Sequence, residues 1–160
     1  MLLAVISDTH FSCAPDWFEA VYRRWLADAD VLLHCGDHTG FGFWQRLCAH
    51  PRFLAVRGNC DQDARFAGEL PPTLRFELEG FTIGAAHGWG DRPGVPARMA
   101  EAFGPQCDIV CYGHTHARDW SVRSGVQLLN PGSLGDSPGS FARLVLERGR
   151  EPECEFVGVS

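Results

Sequence analysis

The sequence predicts an α/β fold in which two mixed sheets pack face to face with helices outside, a four-layer α/β/β/α sandwich. Two observations lead to this prediction. In the first half of the chain, continuous apolar runs alternate with segments of helical periodicity, which is typical of parallel strands joined by helices. After Pro71-Pro72 the pattern changes to short strands separated by turn residues, which is typical of strands that pair through hairpins.

The first half contains three predicted strands and two predicted helices. Residues 2–6 form a continuous apolar run, as expected for a strand buried on both faces. From Asp16 to Ala27 apolar pairs recur every four residues, and Asp16 followed by Glu19 resembles a capping box, so this segment is predicted to be a helix. The other predicted elements of this half are a strand over 31–35, a helix over about 43–49 and a strand over 53–56.

The second half is predicted to consist mostly of strands. Residues 74–79 alternate in polarity, and Gly80 interrupts the pattern before residues 81–83, which indicates a hairpin. A short helix is predicted over 97–103, followed by a buried strand over 109–112. The remaining predicted strands cover residues 120–123, 126–129, 142–147 and 155–159.

Length and composition limit the class of protein. A chain of 160 residues and 17.7 kDa has the length of one domain, which we expect to span residues 1–160. No apolar run approaches the roughly 18 residues of a membrane span. The apolar start at Met1–Ile6 is too short for a signal peptide and lacks its basic flank. We therefore predict a cytoplasmic protein with no membrane partner.

Charge and side-chain usage exclude several kinds of chemistry. The net charge of −6 makes a long nucleic acid an unfavourable partner. All 14 basic residues are Arg, which excludes a P-loop or Schiff-base lysine. The seven cysteines are odd in number and form no C-x-x-C pair, so neither a zinc ribbon nor a thioredoxin motif is present. We expect most of these cysteines to be small buried residues.

Residues of the types that bind metals follow five of the predicted strands. The carboxyl ends of strands in α/β sheets are where ligands bind. One polar cluster could be a simple turn, but five clusters that each contain a metal-binding residue are hard to explain as turns alone. The clusters are Asp8-Thr9-His10, Gly36-Asp37, Gly58-Asn59-Cys60-Asp61, His87-Gly88 and Gly113-His114-Thr115-His116.

The chemistry of these residues suits two divalent metal ions. Imidazole, carboxylate and amide oxygen together favour Mn²⁺, Fe²⁺, Co²⁺, Ni²⁺ or Zn²⁺, and the absence of thiolate pairs argues against a structural zinc site. Two such ions about 3.5–4 Å apart can activate a water molecule and bind a phosphoryl group. Only two aspartates would offset the charge of the ions, so the site would remain positive and suit an anionic substrate.

The ordered motifs D-x-H, G-D, G-N-C-D, H-G and G-H-T-H resemble those of the calcineurin-like metallophosphoesterases. The likeness is greatest to the small bacterial and archaeal phosphodiesterases of that superfamily, which are relatives of the retromer scaffold subunit. It extends from Asp8 to the segment Asn130-Pro131-Gly132-Ser133. The resemblance implies hydrolysis of a small phosphodiester.

The resemblance also implies a role for each metal-binding residue. The first ion is expected to be bound by Asp8, His10 and His116, and the second by Asn59, His87 and His114, with Asp37 bridging the two. A hydroxide shared by the ions would attack phosphorus in line with the leaving group, with Asp37, Asn59 and His114 as the catalytic residues. Mn²⁺ is the favoured metal, with Ni²⁺, Fe²⁺, Co²⁺ and Zn²⁺ as alternatives.

Cys60 stands where many members of the superfamily have a histidine that assists the leaving group. A thiol is a poor general acid, so substrates with good leaving groups and phosphodiesters should be favoured. Asp61 is expected to orient the Asn59 turn. Three aspects remain open: whether Trp89 covers the pocket or packs, whether Arg57, Arg92 or Arg118 binds phosphate, and whether His38 supports the site or faces solvent.

An alternative function is a catalytically weak scaffold or nucleotide-binding protein with the same fold. That alternative predicts loss of ligand residues, whereas all seven are present in the sequence. Because relatives form dimers or tetramers, a homo-oligomer is also an expectation.

Overall fold

Ten strands form two five-stranded sheets within residues 1–66 and 68–160, the parts of the chain that the computed structural model describes. Their bounds are β1 Leu2–Ile6, β2 Val31–His34, β3 Phe53–Ala55, β4 Thr73–Leu78, β5 Phe81–Ala86, β6 Ile109–Cys111, β7 Arg118–Arg123, β8 Val126–Pro131, β9 Gly139–Val145 and β10 Glu153–Val159.

The first sheet has the strand order β10-β9-β1-β2-β3. Strands β1, β2 and β3 are parallel, with Val5 paired to Leu33 and Leu33 to Leu54. Strand β9 pairs antiparallel with both β1 and β10. Strand β10 therefore runs in the same direction as β1, and the carboxyl ends of β1, β2, β3 and β10 lie at one edge of the sheet.

The second sheet has the strand order β4-β5-β6-β8-β7. Its central strands β5, β6 and β8 are parallel. The two edge strands are antiparallel to their neighbours, and β4 and β5 form the predicted hairpin.

Helices cover the outer faces of both sheets. In the described residues, α1 spans Asp16–Val21 and continues as a π-helical turn over Tyr22–Leu26, α2 spans Phe41–Leu47, and α3 spans Val95–Phe103. Short 3₁₀ turns occupy Ala64–Phe66 and Arg92–Gly94. No helix of the described chain is long and apolar enough to cross a membrane.

Three apolar clusters divide the core into layers. Side chains from both sheets, such as Leu33 and Ile83, pack against each other in the central cluster. Phe18 and Phe43 fix α1 and α2 on the outer face of the first sheet. Met99 fixes α3 on the outer face of the second sheet. These clusters confirm the predicted four-layer α/β/β/α sandwich.

The predicted elements match the observed ones with small shifts at their ends. Helix α2 begins at Phe41 and α3 at Val95, each two residues before its predicted start. The expectation that most cysteines are buried is wrong. Burial is complete or nearly so for Cys35, Cys107 and Cys111, whereas Cys13, Cys48, Cys60 and Cys154 are partly or fully exposed.

Candidate metal centre

The seven residues predicted to bind metal lie on five loops that meet between the two sheets. Parallel strands place these loops at the same edge, after β1, β2, β3, β5 and β6. The structure brings all seven together, as contacts between their polar atoms show. The contacts are His116 Nε2 to Asp8 Oδ1 at 3.4 Å, His87 Nε2 to Asp37 Oδ2 at 3.4 Å, His10 Nε2 to Asp37 Oδ2 at 3.8 Å, and His114 Nδ1 to Asn59 Oδ1 at 3.1 Å.

Two overlapping groups of the predicted ligands have the spacing of metal ligands, and a third group with this spacing joins Cys60 to His10 and Asp37. In each group the ligand atoms lie within 4.8 Å of one another. The first two groups are Asp8, His10 and His116, and Asp8, Asp37 and His87. Since both contain Asp8, any ions that they held would be neighbours. Asn59 and His114 extend the second group, because the rings of His87 and His114 lie 5.1 Å apart.

Hydrogen bonds fix which ring nitrogen of three histidines faces the centre of the site. His87 Nδ1 lies 2.8 Å from the carbonyl oxygen of Cys35, His114 Nε2 lies 3.0 Å from that of Gly90, and His116 Nδ1 lies 3.1 Å from the Asp136 carboxylate. These oxygens can only accept a hydrogen bond, so the nitrogens beside them carry the proton. The opposite nitrogen of each neutral ring then directs a lone pair at Asp37, Asn59 or Asp8.

Lone pairs that point at other acceptors need a cation between them. Asp8 Oδ1 and His87 Nε2 are buried and have no hydrogen-bond partner among the described residues. Such buried polar atoms are costly unless something compensates them. Two carboxylates and several oriented imidazoles are a donor set that first-row divalent ions bind well, so these residues fit the metal that the sequence predicts.

The carboxylates favour positive charge at the centre of the site. Contact with Asp8 raises the pKa of His116. Burial lowers the pKa of His87, but contacts with Asp37 and Asp8 outweigh it, and the net shift is upward. Burial raises the pKa of Asp37, but the contact with His87 and the hydrogen bond from Cys60 N–H hold it well below its usual range.

The backbone at the ligand loops adopts a conformation that side chains seldom take. Five of the seven predicted ligands have positive φ angles between 52° and 68°: Asp8, His10, Asp37, His114 and His116. Non-glycine residues in this region cost on the order of 1–3 kcal/mol each, although Asp and His tolerate it better than most. Such strain concentrates at functional sites, where the surrounding structure stabilises it.

The middle residues of D-x-H and H-x-H connect the ligands to the scaffold. Thr9 is fully buried, with its Oγ1 3.0 Å from His34 Nε2. Thr115 Oγ1 accepts a hydrogen bond from the Asn130 amide at 3.0 Å, and the same amide donates to Gly113 O at 2.9 Å. Alternate side chains therefore face the centre of the site or contact the scaffold, which accounts for the spacing of both motifs.

Two glycines of the motifs are required by close approach. A Cβ atom at Gly58 would collide with the backbone nitrogen and carboxylate of Asp37. A Cβ atom at Gly113 would collide with the Ser7 hydroxyl and reach the Asp8 carboxylate. The G-N-C-D and G-H-T-H loops can approach the two aspartates only because these positions lack side chains.

A buried network behind the site is centred on Asp61. Its carboxylate accepts hydrogen bonds from the N–H groups of Asp37 at 3.0 Å, Thr39 at 2.8 Å and Gly58 at 2.8 Å. His38 Nδ1 donates a fourth at 3.2 Å. Asp61 thus orients the turn of Asn59, as the sequence predicts, and also connects it to the loop of Asp37.

His38 supports the site and does not face solvent. Its ring is fully buried and stacks on His34 with the ring centroids 3.6 Å apart. His34 in turn contacts Thr9 in the first ligand loop. The stacked pair therefore connects the first three ligand loops from beneath.

Four groups that orient ligands were not predicted from the sequence. They are the Cys35 carbonyl at His87, the Asp136 carboxylate at His116, the Gly90 carbonyl at His114, and the Thr39 hydroxyl, 3.2 Å from His10 Nδ1. A backbone carbonyl leaves no signal in the sequence. Asp136 lies three residues after the N-P-G-S segment, and only its position relative to that motif could have pointed to it.

Cys60 and Arg57 lie beside the Asn59 turn. Burial and the nearby Asp37 raise the pKa of the Cys60 thiol to about 11, so the side chain is protonated at neutral pH. Arg57 Nε donates to the backbone oxygen of Asp61 at 3.2 Å.

The Arg118 guanidinium lies over the ring of Phe156, 5.7 Å from its centroid.

Carboxylate and imidazole side chains that meet at the carboxyl ends of parallel strands form a centre that suits a metal-dependent protein. The family model for the calcineurin-like phosphoesterase superfamily domain matches residues 1–149. The chain belongs to this superfamily of metallophosphoesterases.

Individual relatives agree with this assignment. The chain is 31% identical over 134 residues to the probable metallophosphoesterase YsnB of Bacillus subtilis. The alignment covers 84% of this chain and 75% of YsnB. Vps29 of Entamoeba histolytica, solved in complex with Zn²⁺, has a TM-score of 0.73 and 25% identity and covers 99% of both chains. An archaeal phosphodiesterase has a TM-score of 0.74 at 20% identity over 98% of this chain and 100% of its own, which shows a shared fold.

Replacement of His38 tests whether the buried network positions the metal ligands. His38→Leu removes the donor to Asp61, and we expect Mn²⁺ affinity, measured by calorimetry, to fall by about 10–100-fold. His38→Asn has nearly the same shape as the Leu variant but keeps a donor on the same side-chain carbon, so it should bind Mn²⁺ more tightly than His38→Leu.

His50→Leu is the control, because His50 is also buried but contacts the backbone of Ala29 and Arg52 away from the ligand loops. Equal Mn²⁺ affinity in the Leu and Asn variants of His38 would contradict the positioning role.

Proposed function

We propose that the chain is a phosphodiesterase that uses two divalent metal ions. The observation that supports this best is the position of the Asp37 carboxylate. Asp37 Oδ2 lies between His10 Nε2 and His87 Nε2, at 3.8 and 3.4 Å, so one carboxylate faces both sets of ligands. That is the position expected of a bridging ligand.

Each predicted ligand has a part in holding the ions. Asp8, His10 and His116 would hold the first, and Asn59, His87 and His114 the second, with Asp37 shared. When bound, two divalent ions supply an activated water near neutral pH and stabilise the charge on the phosphoryl oxygens. The protein contributes the orientation of the imidazoles through Cys35, Gly90 and Asp136, which reduces the reorganisation needed during the reaction.

The preference for diesters rests on the residue at position 60. The thiol of Cys60 is half-buried and accepts a hydrogen bond from the Asn59 amide at 3.3 Å. With a pKa of about 11 it is a weak proton donor. A phosphodiester with a good leaving group needs less help from a general acid than an alkyl monoester does.

A binding or scaffold role with the same fold is the second candidate, favoured by the likeness to Vps29. Because a Vps29 was solved with Zn²⁺, metal binding by itself does not separate the two functions. Turnover of a phosphoester does.

The decisive assay uses protein stripped with a chelator and then supplied with Mn²⁺, Ni²⁺, Zn²⁺ or Mg²⁺. We expect metal-dependent cleavage of bis(4-nitrophenyl) phosphate, with Mn²⁺ the most effective, and slower cleavage of 4-nitrophenyl phosphate. Replacement of a residue that only orients a metal ligand typically lowers activity by roughly 10–100-fold. Asp37→Asn should lower it further, because both ions lose a ligand.

Asp28→Asn is the matched control, since Asp28 is an exposed aspartate that pairs with Arg143 on the surface. No turnover of either substrate with metal bound would contradict the enzymatic proposal and favour a binding role. Equal turnover of diester and monoester would support enzymatic activity but contradict the proposed preference for diesters.

Cys60→His tests the argument about the leaving group. An imidazole at this position could donate a proton near neutral pH, so we expect cleavage of phenyl phosphate, whose leaving group is poorer, to rise by up to about 100-fold relative to 4-nitrophenyl phosphate. Cys60→Ser keeps the size of the side chain without adding a suitable acid and should show no such gain. An unchanged ratio in the His variant would contradict the role given to this position.

A further inference from the structure

A cavity of about 240 Å³ lies beside the His10 and His116 side of the metal centre. We call it the side cavity. It is lined by Phe11, Trp17, Val159 and Ser160, together with the segment 134–137.

The topology places the side cavity at the same edge of the first sheet as the ligands. Phe11 follows the β1 loop, and Trp17 lies in the first turn of α1. Val159 ends β10, which runs in the same direction as β1. Leu134 precedes β9, whose first residues lie at this edge because β9 is antiparallel to β1.

Two of the walls are in direct connection with metal ligands. Phe11 is the neighbour of His10 in the chain. The Asp136 carboxylate that lines the cavity is the one that accepts a hydrogen bond from His116 Nδ1. The rings of His10 and His116 are themselves 5.7 Å apart. The side cavity is therefore separated from a phosphate at the metal centre by little more than the side chains of His116 and Asp136.

Four aromatic and aliphatic side chains form about half of the lining of the side cavity. The Phe11 ring packs edge-on against Trp17, with the ring centroids 5.6 Å apart, and against Phe43 on its other side at 5.2 Å. Leu134 is fully buried beneath them. Trp17 remains 41% exposed, so packing does not use its full surface.

The charge of the side cavity excludes a phosphate and favours an uncharged group. Asp136 is the charged side chain in its lining, and it is half exposed. No arginine or histidine among the described residues lines it. An anion would meet the Asp136 carboxylate without a cation to offset it, whereas an apolar ring would replace water on the aromatic wall.

The volume limits how much of a substrate can enter. Pockets for drug-sized ligands occupy roughly 300–1,000 Å³, so the side cavity is suited to a single ring or a short branched chain. We propose that it binds an uncharged aromatic or similarly compact apolar ester group of the substrate. This proposal rests on the phosphodiesterase function proposed above and adds a substrate class to it.

Competitive inhibition by phosphonates tests the proposal, because the P–C bond of a phosphonate is not hydrolysed. In the diesterase assay, phenylphosphonate should inhibit the wild type about 10-fold or more better than methylphosphonate. Trp17→Ala removes a wall and Val159→Phe fills the space, and both should reduce this ratio to about twofold or less. Inhibition by methylphosphonate should be unchanged, since the phosphonate group itself is bound elsewhere.

Trp25→Ala is the matched control, because Trp25 lies on the helix that continues α1, two turns beyond Trp17, and is not in the lining of the side cavity. In Trp25→Ala, the ratio of inhibition by phenylphosphonate to inhibition by methylphosphonate should equal that of the wild type. The proposal is wrong if the ratio stays at the wild-type value in both Trp17→Ala and Val159→Phe.

A binding measurement separates this proposal from the proposed function. Phenol carries no phosphate, and it should shift the indole N–H resonance of Trp17 in a saturable way without any turnover. That resonance is assigned by its loss in Trp17→Ala, and Val159→Phe should abolish the shift. If the wild type cleaves no diester but phenol binds as expected, the proposed function is contradicted, whereas binding of an apolar group in the side cavity is supported. Absence of the shift in the wild type would overturn the proposal itself.

Discussion

The site depends on two carboxylates that are held almost entirely out of water. Asp8 is fully buried and Asp37 nearly so, and their oxygens lie within 4.8 Å of each other and of His87 Nε2. Two buried negative charges so close together are unfavourable without compensation. The loops around them supply it with N–H groups and oriented imidazoles, and the remaining lone pairs are directed at positions where divalent ions would complete it. The strained backbone angles and the glycines at 58 and 113 follow from bringing five loops to this one point.

Much of this arrangement could be predicted from the sequence because its signals are local. Buried strands are continuous apolar runs, and the residues that follow them are fixed at their carboxyl ends by the chain itself. The sequence alone therefore predicts that Asp8, Asp37 and His116 lie at one edge. The division into two sets of ligands is what the resemblance to the calcineurin-like metallophosphoesterases implies.

The rest depended on contacts between residues far apart in the chain. Asp136 reaches His116 across 20 positions, and the Gly90 carbonyl reaches His114 across 24. The stacking of His38 on His34 requires a turn at Asp37 with positive φ, which no periodicity reveals. The side cavity needs the ends of β1 and β10 to lie together, and that follows only from the pairing of both strands with β9. Long-range pairing thus determined what the sequence pattern left open, including the features that bear on substrate choice.

We propose that these side chains hold two metal ions with Asp37 between them. Anomalous scattering from crystals soaked in Mn²⁺ tests it most directly, because each ion produces its own peak. We expect two peaks about 3.5–4 Å apart, on either side of the Asp37 carboxylate. A single peak, or peaks away from Asp37, would contradict it.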